Sequence, residues 1–460
     1  MSKSEALANS RTYLSDGRFE GDLRRRVAIE SDSQSSAENP ALAAYLVTEI
    51  VAHLSRLGFT CELMENPEKG CPLLFAQRHE SDELHTVLSY GHGDVVPGHA
   101  EQWGEGRSPW QLSIEGDHWY GRGTADNKGQ HSINLAALES VISARNGKLG
   151  FNIKMLFETG EECGSPGLRE FCTQHKELLH ADVFLASDGP RLNARRPTLF
   201  LGSRGSVIFS LEVQAREQAL HSGNWGGVMM NPAIVLANAI SALVDSTGRI
   251  KCAGLLPSQI PDSVRQSIAD LEITKNSLGR ELDEGWGEPG LSLGEKLFGW
   301  NTLEVLAMTA GNPQRPVNAI PSKASAFCQL RFVVGTKWEQ LESAVREHLD
   351  NHGFEHVQIK VSRSSPATRL DPDHHWAKWA SCVISMATSK KIAVIPNLAG
   401  TLPNDIFANV LELPTLWIPH SYPGCSQHAP NEHALSSIIE EGLEIMTHVF
   451  WELGAISVKK

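Results

Sequence analysis

The chain contains no apolar run near the roughly 18 residues that a membrane-spanning helix needs. Its opening, Met1-Ser2-Lys3-Ser4-Glu5-Ala6-Leu7-Ala8, lacks the apolar core of a secretion signal, so the expected location is the cytoplasm. A basic excess is also missing. With 41 Lys and Arg against 54 Asp and Glu the net charge is -13, which argues against nucleic acid or another polyanion as partner. The eight cysteines are scattered through 460 residues and form neither a disulfide framework nor the closed Cys and His set of a structural zinc site. Reduced, buried thiols are expected instead. There is no internal repeat and no low-complexity tract. What remains is a globular chain long enough for two domains with their own cores.

What is present concentrates at the ends of apolar runs. Phe151-Asn152-Ile153-Lys154-Met155-Leu156 leads into Phe157-Glu158-Thr159-Gly160 and then the adjacent carboxylates Glu161 and Glu162. The run reads as a buried strand leaving its sheet through a glycine-punctuated turn, and open α/β sheets bind ligands at such carboxyl ends. Leu84–Tyr90 runs into Gly91-His92-Gly93-Asp94, and Ala181–Ala186 runs into Ser187-Asp188-Gly189. Leu413–Ile418 leads to His420 and then His428. Asp126 lies in the Gly-rich turn Tyr120–Gly129, ahead of a helical pattern with Ile133, Ala136, Ala137 and Val141 on one stripe. Singly, each motif is an ordinary turn or cap. Five of them on converging strand ends form a site.

Mixed His and carboxylate donors suit hydrated divalent ions, and two such ions can share a carboxylate when about 3.5 to 4 Å apart. Asp126 is the natural bridge. Of the pair Glu161 and Glu162, one would bind a cation and the other would take a proton from water.

These residues resemble the sequence blocks of the M20 family of metallopeptidases, within it the carnosinase and cytosolic non-specific dipeptidase branch. The matching blocks are Tyr90–Val95, Gly121–Gly129, Glu161–Ser165, Ser187-Asp188 and Cys425–Glu432. The resemblance implies that His92, Asp126 and Asp188 hold one metal and that Asp126, Glu162 and His428 hold the other. It makes Glu161 the general base and Asp94 the carboxylate that orients the His92 imidazole. Zinc or manganese is the implied cofactor.

The helix predicted first along the chain starts near Pro40, places Leu42, Tyr45, Leu46, Ile50 and Leu54 on one face, and stops before Gly58. Beyond Asp188 the pattern becomes alternating, at Ser206–Gln214, Ala324–Val334 and again at Val357, Ile359 and Val361. Helices are expected from Asn231-Pro232 and from Thr336, where Glu339 completes the spacing of a capping box. The predicted fold is therefore α/β. A catalytic domain, 1–203 and 365–460, carries a mixed sheet flanked by helices, and an α+β lid at 204–364 interrupts it. The family resemblance implies that the lid builds a homodimer.

Substrate contacts are expected from that lid and one late loop. By resemblance they are His221, Asn318 and Arg331, with Gly400 and Thr401 in a loop similar to the family's substrate-carboxylate loop. A guanidinium at Arg331 suits the carboxylate of a peptide or acyl amino acid. The expected reaction is hydrolysis of the amide bond of a short peptide, most simply a dipeptide, by water activated between two ions, with His221 steadying the oxyanion. Two alternatives share the fold: an N-acyl-amino-acid deacylase resembling acetylornithine deacetylase or succinyl-diaminopimelate desuccinylase, and a non-catalytic binding protein. No ligand position or base is missing, and the stretch from Leu201 to Gly227 looks more like the dipeptidase lid.

Overall fold

The computed structural model describes residues 2–274, 281–400 and 402–456. The chain divides into two units: Met1–Leu201 with Leu370–Ile395 and Ile406–Lys460, and Gly202–Arg369 with Pro396–Asp405. The stretch Pro396–Asp405, placed with the catalytic domain on sequence grounds, groups with the second unit. Leu398 N–H donates to Gly202 O and Arg204 N–H to Leu398 O, both at 2.8 to 2.9 Å.

The first unit is built on a mixed eight-stranded sheet. In spatial order its strands are Thr60–Met64, Leu73–Arg78, Asn152–Glu158, Thr86–His92, Val183–Ala186, Thr415–Trp417, Thr198–Phe200 and Ala393–Ile395. The four central strands, Asn152–Glu158 through Thr415–Trp417, run parallel to one another. Strands buried on both faces read as continuous apolar runs, which is why Thr86–His92 and Val183–Ala186 are buried almost end to end.

One face is covered by the helix Lys128–Ala144, with Lys3–Ser15, Arg18–Val27 and Ser436–Leu453 packed against it. The predicted apolar stripe on Lys128–Ala144 understates its burial. Gln130, His131, Ser132 and Asn134 are as enclosed as Ile133 and Val141, because other helices surround this one. Against Val183–Ala186 and its neighbours lies an aromatic layer of Tyr90, Phe184, Phe407 and Trp417, with Phe184 and Phe407 stacked at a centroid separation of 4.1 Å.

Two helices precede the one expected at Pro40. That helix forms as predicted, capped by the Asn39 side chain, though a π-helical turn, Leu46–Val51, runs through its middle. Lys3–Ser15 left no sequence signal because it buries only Ala6, Ser10 and Tyr13, small or polar positions that make no apolar stripe.

The second unit is a four-stranded sheet in the order Thr302–Ala310, Lys323–Phe332, Gly205–Gln214 and Gln358–Ser365, antiparallel throughout. Val207, Phe209, Leu211 and Val213 alternate inward with Ala326, Cys328 and Leu330 against the helices Pro232–Leu243 and Leu341–Asp350. The first of these starts at its Asn231 cap as expected. The capping box expected at Thr336 does not form. The Thr336 hydroxyl instead accepts from the Asn301 amide at 2.9 Å, and the helix begins at Leu341 after a 3-10 turn. A capping box exists at Ser292 and Glu295.

The helix Lys128–Ala144 is the centre of the first core, so truncating it tests that packing. Leu138→Ala, at a fully buried position, is expected to cost about 2–5 kcal/mol, whereas Met386→Ala on an exposed helix face should stay within about 0.5 kcal/mol. Urea unfolding of both variants checks this; equal midpoints would contradict it.

Candidate metal centre and active site

Parallel strands end on one side of their sheet, and here those ends carry the polar cluster. His92 is the last residue of its strand. Glu161 and Glu162 open a 3-10 turn just beyond the strand ending at Glu158, and Asp188 follows the strand ending at Ala186. His428 lies in the loop after Thr415–Trp417, with φ of +60°. Asp126 approaches from the turn before Lys128–Ala144, where a cis peptide joins it to Asn127. That turn folds tightly on itself. Gly123 has φ of +87°, and a Cβ on Gly129 would sit 2.0 Å from Thr124 O, so a side chain there would displace the backbone that presents Asp126.

The side chains meet around Asp126. His92 Nε2 lies 2.9 Å from Asp126 Oδ1 and 3.7 Å from an Asp188 oxygen. His428 Nε2 lies 3.1 Å from Asp126 Oδ2 and 3.1 Å from Glu162. Two triads result, His92 with Asp126 and Asp188, and Asp126 with Glu162 and His428; in each, one donor atom per residue lies within 4.8 Å of the others. The first triad is buried, while the His428 side chain is half exposed.

The electrostatics fit a cation. Burial pushes the Glu162 carboxyl up to about 7 and Asp188 up to about 6, each reinforced by the Asp126 charge. Glu161 lies well above the ordinary carboxylate range, because burial and the carboxylates of Asp188, Glu162 and Asp126 outweigh His92. Burial also acts to raise Asp126, but the bonds from His428 and His92 hold it below that range. Burial would lower His92, yet its bonds to Asp126 and Asp94 keep its pKa well above the usual value. The bonds to Asp126 and Glu162 take His428 up to about 10. Crowded carboxylates repel one another, and divalent ions would compensate them with donors of the type they favour.

Asp94 joins the two halves of this cluster. His92 Nδ1 lies 3.1 Å from the Asp94 carbonyl and 3.4 Å from its carboxylate. The same carboxylate accepts from Ser33 Oγ at 2.7 Å and from the backbone N–H groups of Glu161 and Glu162 at 3.2 and 3.0 Å. It thus fixes the imidazole and the turn bearing both glutamates.

Sequence reasoning missed several of these partners. Gln427 donates to Asp126 Oδ2, Asn127 donates to Ser187 O, and Ser33 holds Asp94. Gln427 and Asn127 adjoin proposed ligands, which was the available signal; Ser33 gave none. His420, reached by the same apolar run as His428, is buried and belongs to neither triad, with its backbone N–H on Gln130.

The expected substrate contacts belong to the second unit. His221 is exposed and accepts from Gly223 N–H at 3.2 Å. Its strand pairs with Ala319-Ile320, and Asn318 O accepts from Ser222 N–H, so His221 and Asn318 share one short ribbon. Arg331 is half-buried on Lys323–Phe332, opposite Ser206 and Thr302. Gly400 follows Ala399, whose carbonyl accepts from the Arg204 guanidinium; Thr401 lies outside the described residues.

Residues 88–452 match the model of peptidase family M20/M25/M40. The chain belongs to this family. This M20 metallopeptidase, a divalent-metal enzyme, is 33% identical over 465 residues to the Beta-Ala-His dipeptidase of Mus musculus, covering 96% of this chain and 94% of that one. It is 26% identical over 475 residues to the Cys-Gly metallodipeptidase dug1 of Schizosaccharomyces pombe, covering 95% of each. Among solved structures, human carnosine dipeptidase 1 aligns with a TM-score of 0.75 at 22% identity over 99% of both chains. The M20 metallo-carboxypeptidase Sso-CP2 of Sulfolobus solfataricus aligns with a TM-score of 0.79 at 24% identity, covering 95% of this chain and 99% of that one.

The triads predict how metal content responds to substitution. His92→Ala and His428→Ala should each lower the metal bound per chain, through different triads. Elemental analysis of purified protein checks this, and unchanged stoichiometry in both variants would contradict it.

Proposed function

We propose that this metallopeptidase is a dipeptidase that holds two divalent ions, zinc or manganese, and uses Glu161 as general base. The observation that carries the reading is the pair of triads sharing Asp126, one donor oxygen toward each histidine. His92, Asp126 and Asp188 would hold one ion, and Asp126, Glu162 and His428 the other. Bound ions supply the Lewis-acid chemistry that polarises a carbonyl and acidifies water.

The protein's own groups then divide the labour. Glu161 takes the proton of the attacking water and returns it to the leaving amine. Asp94 keeps the His92 ring in one orientation and ties it to the Glu161 turn. From the second unit, His221, Asn318, Arg331 and the Gly400-Thr401 stretch are assigned to substrate, with Arg331 matched to a peptide carboxylate. The dipeptidase names of the mouse and fission-yeast relatives support a short peptide ahead of an N-acyl amino acid. A homodimer through the second unit is supported by exposed apolar side chains on its sheet, Val305, Leu306 and Met308 along the edge strand Thr302–Ala310 and Phe327 on the strand beside it. All eight cysteines are free thiols, consistent with the cytoplasm as its location.

Glu161→Gln is expected to retain its metal while kcat falls about 10²- to 10⁴-fold, the loss typical of removing a general base. Metal analysis and steady-state kinetics on one preparation check both halves. Near-normal turnover would contradict the role.

The substrate class is tested with a matched pair. Ala-Leu should be hydrolysed with higher kcat/KM than N-acetyl-Leu, and the reverse order would transfer the enzyme to the deacylase reading.

A further inference from the structure

Beneath the triads lies a buried ion pair that the reaction itself does not use. Glu432 and Arg122 have side chains only 1% exposed and meet at 2.7 Å. The other oxygen of Glu432 accepts three backbone N–H groups, from Gly123 and Ala125 at 3.0 Å and from Asp126 at 3.1 Å. Its carbonyl accepts from Gly121 N–H at 3.0 Å. Arg122 donates onward to Ala429 O at 3.2 Å and to Pro97 O at 3.0 Å. The pair therefore touches the loop that presents Asp126, the residue following His428, and the chain just past His92 and Asp94.

We infer that Glu432 is a positioning residue for the metal centre: its carboxylate, with Arg122 as counter-charge, fixes the Asp126 backbone relative to His428 so that one carboxylate can serve both triads. A carboxylate this close to Asp126 carries an electrostatic cost, since burial and the neighbouring Asp126 charge both act to raise its pKa, with Arg122 opposing them. Converging donors set against that cost point to a geometric task. Three N–H groups on a single oxygen lock the loop, and a charged acceptor holds such donors more strongly than a neutral one. Glu432 also lies four residues after His428, so its side chain and backbone together link the two ligand loops directly. His428 is half exposed and sits on a loop, which makes its triad the one most dependent on this strut.

The inference rests on the metal reading of the triads, so the test measures ion binding directly. Zn²⁺ affinity would be determined by chelator competition for wild type, His428→Ala, Glu432→Ala and Glu432→Gln, with kcat and KM for a dipeptide at saturating metal. Glu432→Ala should bind Zn²⁺ about 10- to 100-fold more weakly, the usual loss when a partner of the ligands is removed, with lower kcat and an unchanged KM. Glu432→Gln, which keeps the acceptor oxygen, should recover most of the affinity. A folded Glu432→Ala with wild-type Zn²⁺ affinity would overturn the inference, whatever its melting temperature. If Glu432→Ala does not fold, the double variant Arg122→Met/Glu432→Met decides, because it removes the acceptor oxygen and leaves no unpaired buried charge. It should still bind Zn²⁺ more weakly, having lost the ties to Pro97 and Ala429; wild-type affinity there would overturn the idea equally. Absence of Zn²⁺ binding in the wild type would instead remove the metal reading itself, and this inference with it.

Discussion

The site depends on the two oxygens of Asp126 facing different histidines, Oδ1 toward His92 and Oδ2 toward His428. A carboxylate can do this only if its backbone is held from several directions at once. The Gly-rich turn supplies close approach, with Gly129 packed where a Cβ would strike Thr124 O. The helix that follows is buried on nearly every side, so the turn is anchored to the most enclosed element of the unit. Hydrogen bonding completes the restraint, through Glu432 beneath the loop and Gln427 on the carboxylate itself.

The same geometry explains the crowding of charge. Asp94, Asp126, Glu161, Glu162 and Asp188 gather around two imidazoles, and removing carboxylates from water is costly unless each finds a partner. Asp94 finds three donors, in Ser33 and the Glu161 and Glu162 backbones. Glu161, Glu162 and Asp188 do less well and their protons are held more tightly. A group poised to take up protons in this way is one that a cation would convert to a ligand or a base, so the imbalance and the proposed chemistry have one origin.

Much of this was legible in the sequence because strand ends announce themselves. An apolar run closed by glycine and a charged residue locates His92, Glu161, Glu162 and Asp188 without knowledge of the sheet, and the helix at Pro40 is marked by its cap, stripe and stop. What escaped has physical reasons. Glu432 looks like any glutamate, since the backbone N–H groups it binds lie some 300 positions earlier in the chain. Lys3–Ser15 packs through small and polar residues, so no stripe marks it. Thr336 has cap chemistry and capping-box spacing, but a buried Asn301 competes for its hydroxyl and wins. The assignments of His221, Asn318, Arg331 and Gly400 came from resemblance, because a polar residue on a lid strand carries no mark of what it touches.

Strand order explains why the proposed ligands other than Asp126 follow the ends of these strands. Carboxyl ends coincide only among parallel strands, and the parallel block of four is bounded by Leu73–Arg78 on one side and Thr198–Phe200 on the other, both antiparallel to their inner neighbours. Those flanking strands point their carboxyl ends the opposite way and contribute no ligand. Within the block, Thr86–His92 is central: the next parallel strand along the chain, Asn152–Glu158, joins it on one side, and Val183–Ala186 joins it on the other. The chain thus reverses its direction of sheet growth at His92. At such a reversal the connections leave toward opposite faces and open a crevice above the strand ends. Asp126 arrives in the connection that leaves His92 and Glu161 and Glu162 in the one that leaves Glu158, while Asp188 follows the strand on the other side of His92, so donors from both sides of one histidine meet where the topology divides.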